Sequence, residues 1–375
     1  MVTLQAVAGF AAAGFEAVRE EFERNLAERG ELGASFAVVR EGELVVDLWG
    51  GLADKATGRR WEENTLQVVF SGTKGLIAAC LLVLLDRGLL ELDAPVSNYW
   101  PGFGKDEIRV RDVAAHTAGL PGIDRPLGLE EALAGTRPVE LLQAQDPSED
   151  PRADLCYHAL TFGWLCGELV RRVDGRSVGH FFAEEIAEPL ELEVWIGLPA
   201  QLEDRVSTLD LAIDWPNSPH LREETFGTDP FVRAIWGNPP LLSRGGFACN
   251  RPEFHQAEIP AIGAIGTARS IARLYASLDT ILSPQAFELG RTTLSRGWDV
   301  AHGSPVRFGV GFQLQTENMR FGPEPDAFGH DGAGGSVHGA WPEQRVGFSY
   351  AMNLMRDDPG DRRSLALLEA LYSSL

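Results

Sequence analysis

The sequence predicts an α/β (α+β) fold: a central antiparallel sheet flanked by helices, with a helical region inserted in it. Three observations predict this. A β-hairpin signal stands near the N-terminus, strand-like segments return after Val306, and the stretch from Asp93 to about Pro260 is mostly helical. Strands at both ends of the chain predict one sheet completed by N- and C-terminal segments. Residues 1–92 plus 263–375 are thus expected to form a discontinuous domain carrying the sheet, and residues 93–262 a mostly helical insertion with substrate-facing loops.

The elements follow in order. Phe15, Val18, Phe22 and Leu26 recur at helical spacing before Gly30 and predict an amphipathic helix. Ser35 to Arg40 and Glu43 to Trp49 flank Glu41-Gly42, which is the hairpin. Lys55 to Asn64 reads as polar loop, and Thr65 to Phe70 leads into a helix that carries the apolar run Leu76 to Leu85 and ends near Gly88. Helices are expected over Ala159 to Val173 and Val178 to Ala187. From Val206 to Ile262 prolines alternate with aromatic residues, among them Trp236 and Phe247, and such a stretch reads as an irregular binding wall. A helix over Thr267 to Leu282 follows, then strands over Val306 to Gln315, Ser336 to Trp341 and Arg345 to Asn353, and a last helix from about Arg362 to Ser373.

Composition bounds the function. The chain has 375 residues, 44% of them hydrophobic and 23% charged, which is ordinary for a globular protein with a sizeable core. A net charge of −21 argues against nucleic acid or an anionic membrane as partner. The N-terminus shows neither a basic segment nor a long apolar one, so no secretion signal is read and a cytoplasmic location is expected. Cys80, Cys156, Cys166 and Cys249 form no C-x-x-C pair and read as small buried hydrophobes. The histidines show no metal-binding spacing, so neither a metal nor another cofactor is expected.

The chemistry concentrates at Phe70-Ser71-Gly72-Thr73-Lys74-Gly75. Residues i and i+3 share a helix face, so the Ser71 hydroxyl and the Lys74 amine can meet. Burial lowers a lysine pKa, and the apolar run downstream would bury this turn, making Lys74 a base and Ser71 a nucleophile. The unpaired N–H groups of a helix start also suit an oxyanion. With 18 serines and three lysines, chance supplies a Ser-x-x-Lys about one time in seven, so its partners matter. Tyr157, before the helix at Ala159, can shuttle a proton if a nearby ammonium lowers its pKa. The glycine-rich stretch Phe328 to Ser336 can bring backbone against a ligand and supply a second oxyanion donor. A Gly-x-Ser-x-Gly elbow is lacking, since Gly334-Gly335-Ser336-Val337-His338 ends in histidine.

Together these stretches resemble the serine β-lactamase and penicillin-binding-protein superfamily, in its class C-like branch with the family VIII carboxylesterases. Ser71-Gly72-Thr73-Lys74 stands as first motif, Tyr157-His158-Ala159 in place of Tyr-x-Asn, and His330-Asp331-Gly332 in place of Lys-Thr-Gly; His116 to Pro121 is also family-like. The resemblance implies a β-lactamase/penicillin-binding-protein-like fold, an acylated Ser71, base and acid work shared by Lys74 and Tyr157, and an oxyanion hole from the N–H groups of Ser71 and Ala333. His330, Gly332, Trp236 and Phe247 are expected to bind substrate, and His116 to anchor a loop.

Two departures bear on the substrate. Ala159 and His330 stand where relatives place an amide and a cation, which weakens recognition of an anionic amide. Esters need less recognition and less leaving-group help. The expected activity is a serine carboxylesterase acting on short-chain, small-molecule esters. A β-lactamase, a D-amino-acid peptidase or amidase, an acyltransferase, and a silent scaffold or sensor are the alternatives, and oligomeric state is left open.

Overall fold

Two runs of apolar and small residues joined by a tight turn start the main sheet. Gly33–Arg40 and Glu43–Asp54 pair antiparallel across Glu41 and Gly42, whose φ angles of 52° and 85° suit a two-residue hairpin turn. The computed structural model describes residues 7–212, 229–243, 246–356 and 360–375. Among them, ten strands form one sheet in the order Ala8–Ala11, Glu43–Asp54, Gly33–Arg40, Val346–Met352, Ser336–Trp341, Phe328–Gly332, Gln313–Leu314, Ser304–Phe308, Ser295–Asp299, with Arg59–Arg60 paired to Glu43–Asp54. All these pairings are antiparallel.

Helices cover the sheet because its strands are apolar on both faces. On one side, Phe15, Val18 and Phe22 of the N-terminal helix segment and Leu367, Leu368 and Leu371 of the helix Arg363–Ser373 pack on Phe36, Val38, Val46, Phe348 and Tyr350. On the other, the helix Ala268–Ala276 lies close against small residues, Ala37 and Ala351 meeting Ala268 and Ala272. The helix Thr73–Asp86 is buried from Thr73 through Leu84, as expected of one that is apolar all round. A smaller sheet of Gln67–Val68, Ala264–Gly266 and Val194–Ile196 ties the chain just before Ser71 to two distant segments.

Several expectations are corrected. The helix expected over Thr267 to Leu282 is two, Ala268–Ala276 and Leu278–Ile281, separated at Ser277. The strand expected over Val306 to Gln315 is also two, Ser304–Phe308 and Gln313–Leu314; Gly311 between them takes φ 75°. The stretch from Val206 to Ile262 holds the helices Pro230–Trp236 and Pro252–Gln256 and a hairpin of Leu242–Ser243 with Gly246–Phe247; its residues 213–228 lie outside the described ones. The strands Ala8–Ala11 and Ser295–Asp299 and the helix Pro284–Arg291 had no sequence expectation.

Candidate active site

Ser71 lies on a short 3₁₀ turn, Phe70–Gly72, that runs into the buried helix. Phe70 takes φ 47°, a left-handed conformation that costs a non-glycine residue roughly 1–3 kcal/mol and marks functional turns. The turn is held from two sides. Thr73 Oγ1 donates to Phe70 O at 2.6 Å and accepts Ala264 N at 2.9 Å, while Val69 N donates to Ala264 O at 3.0 Å.

Lys74 is fully buried. Its Nζ lies 3.1 Å from Ser71 Oγ, 2.8 Å from Ala159 O and 3.1 Å from Ala261 O. Burial pushes its pKa well below the ordinary lysine value, against a smaller opposing pull from Asp331. A neutral amine has two N–H bonds and one lone pair. The carbonyls can take both hydrogens, which leaves the lone pair to accept from the Ser71 hydroxyl.

Tyr157 sits above this pair with its ring centroid 4.8 Å from Lys74 Nζ. Its phenol faces Ser71, yet among the described residues no hydrogen bond of good geometry reaches the phenol hydroxyl. Burial raises the phenol pKa well above 10, so the expectation of a phenol lowered by a nearby ammonium is corrected: the phenol holds its proton more tightly than a free tyrosine does. Rings surround it. His302 lies 4.2 Å away, His116 4.9 Å, His330 6.0 Å and Trp236 6.2 Å, centroid to centroid. His116 Nδ1 accepts the His158 N–H at 3.0 Å, and His158 Nδ1 donates to Cys156 O at 2.7 Å, so both histidines shape the Tyr157 turn.

The turn after Phe328–Gly332 faces the nucleophile. A Cβ on Gly332 would stand 2.4 Å from Val69 O, so only glycine lets this strand approach so closely. Ala333 follows directly. Gly334 O accepts from Arg356 N at 3.1 Å and from Arg363 Nη2 at 3.0 Å, which holds the turn from behind. His330 is buried; its Nδ1 donates to Asp331 O at 2.8 Å, and its Nε2 has no partner among the described residues. Burial, then Lys74, push its pKa down to about 3, so it is neutral at pH 7. Asp331 pairs with Arg320. Among the described residues, no group of three or more His, Cys, Asp or Glu could hold a metal ion.

Comparison with known proteins decides the family. The family model "Beta-lactamase" matches residues 18–372. The chain belongs to the β-lactamase family. It is 33% identical over 354 residues to the "Esterase/beta-lactamase LipL" of Mycobacterium tuberculosis, covering 86% of this chain and 77% of that one. Its fold matches the crystal structure of a family VIII carboxylesterase with a TM-score of 0.90 at 34% identity, over 99% of this chain and 100% of that one. A penicillin-binding-protein homologue from Caulobacter crescentus matches with a TM-score of 0.88 at 35% identity, over 99% and 100% of the two chains. The β-lactamase/penicillin-binding-protein-like fold expected from the motifs is therefore the one observed.

Within this β-lactamase-family frame, Ser71, Lys74, Tyr157, His330, Gly332 and Trp236 come together. Phe247 instead packs, half-buried, against the main core from the hairpin Gly246–Phe247. Several contributors were missed: Thr73 as the clamp of the turn, Ala261 as acceptor for Lys74, and Asp299, His302 and Arg320 around Tyr157 and Asp331. Asp299 lies 142 residues from Tyr157, whose N–H it accepts, and no local motif marks such a pair.

Proposed function

We propose that this protein hydrolyses short-chain carboxylic esters through an acyl-enzyme on Ser71. Its relatives make it a serine ester hydrolase of the β-lactamase family. The observation that carries the residue roles is the buried Lys74 amine, its charged form disfavoured by desolvation, placed 3.1 Å from Ser71 Oγ with two carbonyls to take its own hydrogens. In this reading Lys74 takes the Ser71 proton as Oγ bonds to the ester carbonyl carbon. The oxyanion then rests on the N–H groups of Ser71 and Ala333.

Collapse breaks the bond to the leaving alkoxide, which takes a proton from the Tyr157 phenol. The phenol is refilled from Lys74, so the proton removed from Ser71 leaves with the alcohol. Water attacks the acyl-enzyme by the reverse route, its proton returning to Ser71. The rings of Trp236 and His302 pack against that of Tyr157, whose phenol faces Ser71, and in this reading they favour small acyl groups. Neutral His330, where relatives carry a cation, supports esters over anionic amides.

Residues 93–262 would supply the substrate-facing loops to a domain of 1–92 plus 263–375. Among the described residues no helix is long and apolar enough to cross a membrane; a cytoplasmic location is the finer proposal, testable by cell fractionation.

The deciding experiment compares a p-nitrophenyl butyrate and a chromogenic cephalosporin with wild type and Ser71→Ala. Ester turnover should exceed cephalosporin turnover and fall roughly 10³-fold or more in Ser71→Ala. Faster cephalosporin turnover would sink the esterase reading, and unchanged ester turnover in the variant would sink the role of Ser71.

A further inference from the structure

Tyr157 must present its phenol to a leaving group, yet among the described residues no well-formed hydrogen bond orients that hydroxyl. Its position has to come from its backbone and its ring. Both lead to one carboxylate, that of Asp299 at the end of the strand Ser295–Asp299. Asp299 is completely buried. Oδ1 accepts the Tyr157 N–H at 2.9 Å and the Ala301 N–H at 3.3 Å; Oδ2 accepts the His302 N–H at 3.0 Å and His302 Nδ1–H at 2.6 Å. The bond to Nδ1 fixes the ring against rotation, and the ring lies 4.2 Å from that of Tyr157, inclined at 48°. Trp236 closes the triangle, its ring 5.9 Å from His302 and 6.2 Å from Tyr157.

We propose that Asp299 and His302 are positioning residues, which hold the Tyr157 backbone and ring so that the phenol meets the leaving alkoxide. A fully buried carboxylate loses its hydration, a penalty that donors must offset. Four N–H donors do so here, from Tyr157 and from the turn that carries His302, with the Cys156 thiol beside them. The arrangement therefore spends a buried charge on one side chain's placement. Ring packing, by contrast, would be satisfied by any apolar residue at 302.

This inference rests on the proposed role of Tyr157 as proton donor, and the experiment separates the two. Esters with a p-nitrophenolate leaving group need little protonation, whereas ethyl esters of the same acid need it. His302→Ala should lower kcat for the ethyl ester roughly 10- to 100-fold, with KM within about twofold, and change p-nitrophenyl turnover little. Asp299→Asn should do the same. In a Tyr157→Phe background, His302→Ala should add no further loss.

His302→Phe checks packing: ethyl ester turnover at the wild-type level there would show that the bond to Asp299 is dispensable and overturn the proposal. Equal losses on both esters, or a loss that persists in Tyr157→Phe, would also overturn it. If Tyr157→Phe itself lacks leaving-group dependence, the role of Tyr157 fails. If Tyr157→Phe shows it and His302→Ala does not, only the positioning inference fails. Thermal midpoints and phosphonate labelling of Ser71 verify folding, and His302→Gln replaces His302→Ala should the latter not fold.

Discussion

At the scale of single residues, the chemistry depends on a lysine whose charged form is disfavoured by burial. Desolvation disfavours the charged amine, and among the described residues the hydrogen-bond partners of Lys74 Nζ are Ser71, Ala159 and Ala261, none of them a carboxylate. kcat/KM should consequently fall toward acid pH as the amine gains a proton, with unit slope. His158 and His330, held down to about 4 and about 3 chiefly by burial, titrate too low to cause a limb near neutrality. A pH–rate profile checks this: a limb that survives in His116→Asn and His302→Gln belongs to Lys74. Lys74→Arg, whose guanidinium stays protonated, should lose roughly 10³-fold in acylation, read as the rate of phosphonate labelling. Ser71, Lys74 and Tyr157 were legible because each stands in a short motif. Asp299, His302 and Ala261 were not, because each acts through a contact made only when distant segments meet.

At the scale of elements, the turn carrying Ala333 is buttressed by the start of the last helix. Arg363 is buried and donates to Gly334 O at 3.0 Å, Leu354 O at 3.0 Å and Glu31 Oε1 at 2.9 Å, with Asp361 alongside. Burial pushes the Glu31 carboxyl up even with Arg363 and the Tyr350 hydroxyl on it, so the pair is not a free source of stability. Arg363→Met should destabilise by about 3–5 kcal/mol, since it strands a buried Glu31, and chemical denaturation would show it. Glu31→Met with Arg363→Met should cost less than the single change; a larger cost would mean that the pair stabilises in its own right. Helix periodicity and the Glu41-Gly42 turn announced the N-terminal helix and hairpin. The break at Ser277 and the edge strand Ser295–Asp299 went unannounced, since packing and pairing with Ser304–Phe308 decide them.

At the scale of the whole molecule, four buried histidines tie stability to pH. Burial lowers the pKa of His116, His158, His330 and His338, to about 4 for His158 and about 3 for His330 and His338. The unfolded chain, with histidines near 6.5, binds more protons than the folded one between these limits. Their contribution is thus fully present above pH 6.5 and is lost as pH falls from there toward 3. At pH 5.5 each forfeits at most about 1.4 kcal/mol, so the thermal midpoint should drop steeply between pH 7 and 5. A flat midpoint across that interval would show that these histidines are not buried neutral.

The sequence by itself determined the family, the layered plan of sheet and helices, and the likeness of three motifs to a serine acyl-transfer site. These are written in local patterns: hydrophobic period, turn residues and spacing within a motif. Only the tertiary structure decided the direction in which the site's pKa values move. Whether Lys74 is an amine or an ammonium depends on how much water the fold removes and on which carbonyls, Ala159 and Ala261, arrive beside it. The hold of Asp299 and His302 on Tyr157 was decided there too. Charge state and position are set by neighbours in space, and the chain's order does not state which neighbours those will be.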